Sequence, residues 1–203
     1  MEFERILALL IFAFIAAATP GPNNVMLMAS GVNFGFRRSL PPILGICIGF
    51  PIMILLIGFG FSAVFERFPW LHELIKIVGV LYLVYLAWRI ASSQPADTNQ
   101  QQAKPFTFIQ IALYQWLNPK GWVMASSALA TFTTLQGDFI LQVGIVVAVF
   151  FMVAIPSTLI WLLFGVGLQS LLREPRYFRA FNFVMAALLL ASVLPVVLEL
   201  LGI

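Results

Sequence analysis

Two short stretches of this chain combine residue types that a lipid-spanning helix does not ordinarily tolerate. Thr19-Pro20-Gly21-Pro22-Asn23-Asn24 and Asn118-Pro119-Lys120-Gly121 both place prolines and hydrogen-bonding side chains inside long apolar runs. A proline lacks the amide donor, and its ring clashes with the carbonyl one turn earlier. Each stretch therefore releases backbone groups from the helical ladder. Lipid offers those groups no water, so they must face protein or a wet cavity. Pro22 and Pro119 each suit the first position of a new helix. Thr19, Asn23 and Asn24 would act as local partners at one break, and Asn118 as the cap at the other. Two half-helix N-termini would then present exposed N–H groups and positive dipole ends, a chemistry suited to the carboxylate of an amino acid.

Lys120 is the sharpest single residue, because an ionisable group inside a membrane span is costly and marks function by default. Two roles are open to it: pairing with a substrate carboxylate, or capping a neighbouring helix's carbonyls or snorkelling to an interface. Among the aromatics Tyr82, Tyr85, Trp88, Tyr114, Trp116 and Trp122, Tyr114 and Trp116 are the candidates for cation–π contact with a substrate ammonium. The competing role for such residues is an interfacial belt. The candidate substrate-binding set is thus Pro20, Gly21, Pro22, Asn23, Asn24, Tyr114, Trp116, Asn118, Pro119 and Lys120. No acidic residue falls at the centre of an apolar run, so a carboxylate proton relay is not expected. Nor do the spacings offer a metal cluster or a Gly-rich nucleotide loop, and no cofactor is expected. Cys47 is the only cysteine, which rules out an internal disulfide or dithiol chemistry. His72, the only histidine, reads as a surface residue near a span end.

The elements that must hold these residues follow from composition. Of 203 residues, 62% are hydrophobic and 9% charged, with a mean hydropathy of +1.01. Soluble domains carry roughly 25% charged residues, so the solvent here is lipid. Six apolar runs are each long enough to cross a bilayer with ~20 helical residues. They lie near Ile6–Met28, Ile43–Phe65, Leu71–Ile90, Phe106–Phe132, Phe139–Leu163 and Phe181–Leu201. They are continuous rather than alternating, which excludes a barrel. Pro195 and Glu199 leave open a re-entrant last segment. Glu2, Glu4 and Arg5 lack the positive lead of a cleaved signal, so the first run is expected to be retained. The distances from Ile6 to Pro20, about 21 Å, and from Phe106 to Asn118, about 18 Å, put both breaks near the middle of a ~30 Å core.

Seven bases (Arg37, Arg38, Arg89, Lys104, Arg173, Arg176 and Arg179) fall on one side of these spans, against Arg5, Arg67 and Lys76 on the other. The base-rich side is cytoplasmic, so both termini are expected outside, in the periplasm of a bacterial inner-membrane protein. The pI near 9.4 reflects these loops, and no nucleic-acid partner is read from it. Pro22 and Pro119 are 97 positions apart, and Pro51 and Pro156 are 105 apart. The offsets predict two three-helix repeats, 1–92 and 105–203, joined by a polar cytoplasmic linker, 93–104, within a single transmembrane domain. Because three is odd, the copies are inverted. The fold expected is an all-α membrane protein of six transmembrane helices, with the first and fourth broken by proline. Gly45-x-x-x-Gly49, with Gly31 and Gly35 before it, predicts tight helix packing and bears less strongly on a homodimer.

At these same residues the chain resembles the LysE/RhtB family of amino-acid exporters. The resemblance is carried by Thr19–Asn24, by Gly35-Phe36-Arg37 leading to Gly45 and Gly49, by Lys76, Gly79, Tyr82, Leu83, Trp88 and Arg89, and by Phe106 and Asn118-Pro119-Lys120. It covers nearly the whole chain in order and spacing. It implies a six-helix exporter of amino acids and close derivatives, dimeric and driven by an ion or substrate gradient. In detail the chain looks closest to the cysteine/O-acetylserine branch; threonine and homoserine are further candidate substrates. Two departures stand out. Many members carry Asp where this chain has Phe50, which puts proton coupling through that carboxylate in doubt, and Asn182 stands where a glycine is usual. The alternative reading is a membrane scaffold or channel subunit, which would account for the glycines but not for two proline breaks at matching depth. An enzyme would need paired acids or histidines at a wet surface, which two Asp and one His do not supply.

Overall fold

A computed structural model of the chain describes residues 2–61, 67–93, 104–134, 138–172 and 174–200, and gives the backbone alone for Phe61, Pro69, Leu71 and His72. Most of the linker expected at 93–104, Arg173, and the side chain of His72 lie outside the described residues. Nine helices are described: α1 Phe3–Ala18, α2 Pro22–Arg38, α3 Leu40–Leu56, α4 Pro69–Ala91, α5 Phe108–Tyr114, α6 Pro119–Phe132, α7 Phe139–Leu168, α8 Pro175–Ala191 and α9 Leu194–Leu200. Among the described residues there is no strand.

The prolines act where their chemistry predicts. α1 ends at Thr19, whose backbone is extended (φ −61°, ψ 138°), and α2 restarts with Pro22 in its first turn. The two helices meet at 56°. α5 runs into a 3-10 turn, Gln115–Leu117; Asn118 then turns extended (φ −88°, ψ 107°) and α6 opens on Pro119. Thr107 starts α5 with a capping box, accepting from the Gln110 amide while the Gln110 side chain accepts from Thr107 N. Gly35, at φ 72°, interrupts α2 in a conformation that favours glycine. The Ser39 hydroxyl donates to the Gly35 carbonyl at 2.8 Å and meets Ser30 Oγ at 2.7 Å, which secures the corner into α3.

By length and composition, four continuous helices can cross a membrane: Leu40–Gly60, Glu73–Ala91, Phe139–Leu168 and Pro175–Leu200. The bent pair α1–α2 makes a fifth candidate. The sequence predicts six spans, whereas the structure gives five candidates at most: the run expected as the fourth is divided into the apolar helix Phe108–Leu117 and α6, neither long enough alone. The last apolar run continues through a turn at Ser192 and Val193 into α9, where Lys76 of α4 pairs with Glu199 at 2.8 Å.

In lipid there is no hydrophobic drive to bring helices together, so close backbone approach and dispersion must do it. α2 lies against α7 so closely that a Cβ on Gly31 would come within 2.6 Å of the Leu162 carbonyl oxygen, and one on Gly165 would strike that of Met28. Gly45 and Gly49 serve α3 in the same way: added Cβ atoms would meet Phe108 O at 2.8 Å and Ala112 Cα at 2.7 Å. The glycine seam of α3 is thus filled by α5 of the same chain. Asn182, at the position where a glycine is usual in the resembling family, is fully buried and exchanges amide hydrogen bonds with Asn33 at 2.8 and 3.2 Å, joining α8 to α2. Two apolar clusters result. One gathers α2, α3, α4, α5, α7 and α8. The other gathers α1, α3, α6 and α7 around Phe50, Phe132 and Phe150. Leu74, Ile77, Leu81, Val84 and Trp88 form an exposed apolar stripe along α4, the surface a bilayer would cover.

Gly165→Val should overpack the α2–α7 contact and cost about 1–3 kcal/mol. Gly144→Ala, whose added Cβ would meet nothing within 4 Å, should leave stability unchanged or slightly raised. Thermal unfolding of the two variants in detergent reads the difference directly.

Candidate functional site

Most carbonyls freed where α1 ends have partners, largely from other elements. Ile15 O accepts from Thr19 N at 3.0 Å and also from the Thr19 hydroxyl. Asn24 Nδ2 donates to Ala17 O at 2.9 Å and to Thr19 O at 2.8 Å. The indole of Trp161, on α7, donates to Ala18 O at 3.2 Å. Lys120 Nζ, from the first turn of α6, donates to Thr19 O at 2.6 Å. At the second break Asn118 N donates to Gln115 O at 3.3 Å, and the Trp122 indole donates to Trp116 O at 2.8 Å. Asn118 holds the cap position but makes no capping bond; its Oδ1 is buried and has no partner among the described residues.

Two contacts tie one break to the other. Asn23 Nδ2 donates to Gln115 Oε1 at 2.9 Å, and Gln115 Nε2 donates to Asn23 Oδ1 at 3.3 Å and to Ile111 O at 2.8 Å. Gln115 is 0% exposed, so its side chain is satisfied by this reciprocal amide pair together with the Ile111 carbonyl. The second contact is Lys120 itself. Its stem crosses Gly21 so closely that a Cβ there would sit 2.9 Å from the lysine Cδ and 3.2 Å from Nζ, so a larger residue would have to displace the lysine's end. Of the two roles open to Lys120 in the sequence, the structure displays the carbonyl cap.

Between the breaks lies a cavity of about 50 Å³. Gly21, Pro22, Asn23, Asn24, Asn118 and Lys120 line it, together with Ala16, Ala17, Gly121, Met124 and residues of α3 and α7. Among the described residues that line it, Lys120 is the one charged side chain. Four of the sequence-derived candidates lie elsewhere. Pro20 is exposed at the bend. Pro119 lines a separate groove with Lys76, Leu117, Trp122 and Glu199. Tyr114 is fully buried and stacks on Tyr82, with centroids 5.7 Å apart, and its hydroxyl has no partner among the described residues. Trp116 packs edge-on against Trp122. The reason is helical rotation: adjacent residues point about 100° apart, so when Gln115 faces the first break its neighbours cannot.

Sequence reading missed Gln115, Trp161, Phe50, Phe150, Ser157 and Thr158. Gln115 carried a usable signal, a polar amide three residues before Asn118 within an apolar run. Ser157-Thr158 follow Pro156 directly, a polar pair beside a helix-bending residue. Thr158 Oγ1 donates to Ala154 O at 2.7 Å, as intrahelical hydroxyls do where a proline disturbs the ladder. Phe50 stood out only through the family resemblance, as a position where many members carry Asp, and Phe150 carried no signal, because one aromatic in an apolar run looks like another until the helices are packed.

The chain matches the model of the LysE type translocator family over residues 14–198, a range that contains both breaks and all the cavity-lining residues. It is also similar to cysteine/O-acetylserine efflux proteins of Escherichia coli, Shigella sonnei and Shigella flexneri. Each is 36% identical over 180 residues, covering 88% of this chain and 90% of the relative. No solved structure matches the chain significantly.

The amide bridge makes a stability prediction. Gln115→Leu strands the Asn23 side chain and should destabilise the protein by about 1–3 kcal/mol. The exchanged pair Asn23→Gln with Gln115→Asn keeps the summed length and both donors, and should recover most of that loss in the same unfolding assay.

Proposed function

The chain belongs to the LysE type translocator family, and from that premise we propose that it exports amino acids or close derivatives, cysteine and O-acetylserine foremost, by alternating access across the bacterial inner membrane. As a member of that family it is a multi-pass membrane transporter and not an enzyme. The observation that carries the proposal is the meeting of two proline-broken helices at one cavity that holds a single ammonium group.

A zwitterion finds complementary partners there. The first-turn amides of α2 lack intrahelical acceptors and sit at a positive dipole end, so with Lys120 they suit a carboxylate. The buried Asn118 Oδ1 lacks a donor, and an α-ammonium would supply one. Pro20, Pro119, Tyr114 and Trp116, which lie off the cavity wall, act in this reading through the shape of the breaks and the packing behind them.

Alternating access rests on two inverted repeats. α1–α2, α3 and α4 form one, and α5–α6, α7 and α8 the other. The packing supports this pairing: α3 lies against α7 and α4 against α8, while α1 packs on α7 as α5 packs on α3. Exchanging the repeats maps these contacts onto one another. The charge asymmetry of the loops supports periplasmic termini. A homodimer is part of the proposal, with its interface away from Gly45 and Gly49, since α5 occupies that seam.

Efflux from proteoliposomes preloaded with labelled cysteine, O-acetylserine, threonine or homoserine tests the reading. Asn118→Ala and Lys120→Ala should each lower efflux more than about tenfold, because each removes a hydrogen bond to a charged group worth ~1.5–3 kcal/mol. Normal flux through both correctly inserted variants would overturn the site.

A further inference from the structure

We infer that Lys120 makes the cavity a charge filter, which accepts amino acids of zero or negative net charge and rejects those with a cationic side chain. The inference rests on the exporter reading and specifies its substrate class. Lys120 Nζ sits 2.6 Å from a backbone carbonyl, not beside a carboxylate. Among the described residues no Asp or Glu lines the cavity. The resident positive charge therefore meets whatever enters without a counter-charge of its own. A zwitterion adds no net charge, and its carboxylate gives the ammonium a partner. Lysine or arginine would bring a second positive charge into the same confined space with nothing to neutralise it. Like charges placed together away from water repel strongly, because the medium screens them little.

The wall that would receive the substrate side chain points the same way. Phe50 and Phe150 meet edge to face, with centroids 5.5 Å apart, and Ile46 and Met124 line the cavity with them. The Thr158 hydroxyl is committed to the carbonyls of Ala154 and Ile155. An uncharged side chain can be buried on this surface at no electrostatic cost, whereas a side-chain ammonium would lose its water and gain no anion.

Competition against labelled cysteine in proteoliposomes of the full chain separates charge from size, because norleucine and methionine approach lysine in length without its charge. Norleucine and methionine should compete, and lysine should compete at least about tenfold more weakly than norleucine. Phe50→Asp, or Ala154→Asp should the first variant not fold, puts a carboxylate on the cavity wall. Either should raise competition by lysine relative to norleucine about tenfold or more. Equal competition by lysine and norleucine in the unaltered protein overturns the filter. So does joint failure of both, which would make size the criterion, and so does a carboxylate variant that carries cysteine yet still ignores lysine. A complete absence of flux with every amino acid instead overturns the exporter reading on which the filter rests.

Discussion

Every backbone N–H and C=O in a lipid-embedded segment must find a partner inside the protein, and most of this architecture answers that requirement at two places. Between Ala17 and Thr19 the helical ladder stops, and the exposed carbonyls are taken up by Asn24, Trp161 and Lys120. Those three side chains come from α2, α7 and α6, so the repair of one break requires three other helices to be in place. The same bonds that make the break tolerable also gather the polar side chains around it. A cavity lined by asparagines and a lysine is the consequence of satisfying a backbone that proline has opened.

The helices can supply these partners only because they approach so closely. Gly31 and Gly165 let α2 and α7 touch at the level of the backbone, and Gly45 and Gly49 let α5 enter the groove of α3. In water such contacts would be supplemented by hydrophobic burial; in lipid the apolar outer faces gain nothing by leaving their surroundings, and dispersion between close backbones carries more of the load. Buried amide pairs add direction to this packing. Asn33 with Asn182 and Asn23 with Gln115 are each reciprocal, and each joins elements far apart in sequence. An amide left unpaired in such a setting is costly, so both pairs also specify which helix faces come together.

The two departures from the resembling family acquire physical meaning in this setting. Asn182 replaces the close approach that a glycine would permit with a hydrogen-bonded bridge to α2. Phe50 lines the cavity and packs against Phe150, where a carboxylate in its place would face the same space as Lys120. The charge balance of the cavity is therefore a property of this chain's own residues, and membership of the family does not define it.

Much was legible in the residue string alone. The low charge content dictated lipid as the solvent, and apolar run length dictated helices, because backbone hydrogen bonding in lipid permits little else. Proline chemistry located both breaks to the residue, since a missing N–H and a ring clash act locally whatever the tertiary context. The placement of Gly21–Asn24 with Asn118 and Lys120 around one cavity likewise accords with the depths estimated from the sequence. Packing alone decided the rest. Whether Lys120 capped a carbonyl or faced open space depended on where α1 ended relative to α6, a relation between residues a hundred positions apart. Tyr114 and Trp116 were candidates by type, but the helical rotation through 114–116 turned them to α4 and to Trp122 and turned Gln115 to Asn23 of the first break. Local chemistry follows from the covalent chain, whereas the direction in which a side chain points across a helix interface is set by contacts that exist only after the helices have assembled.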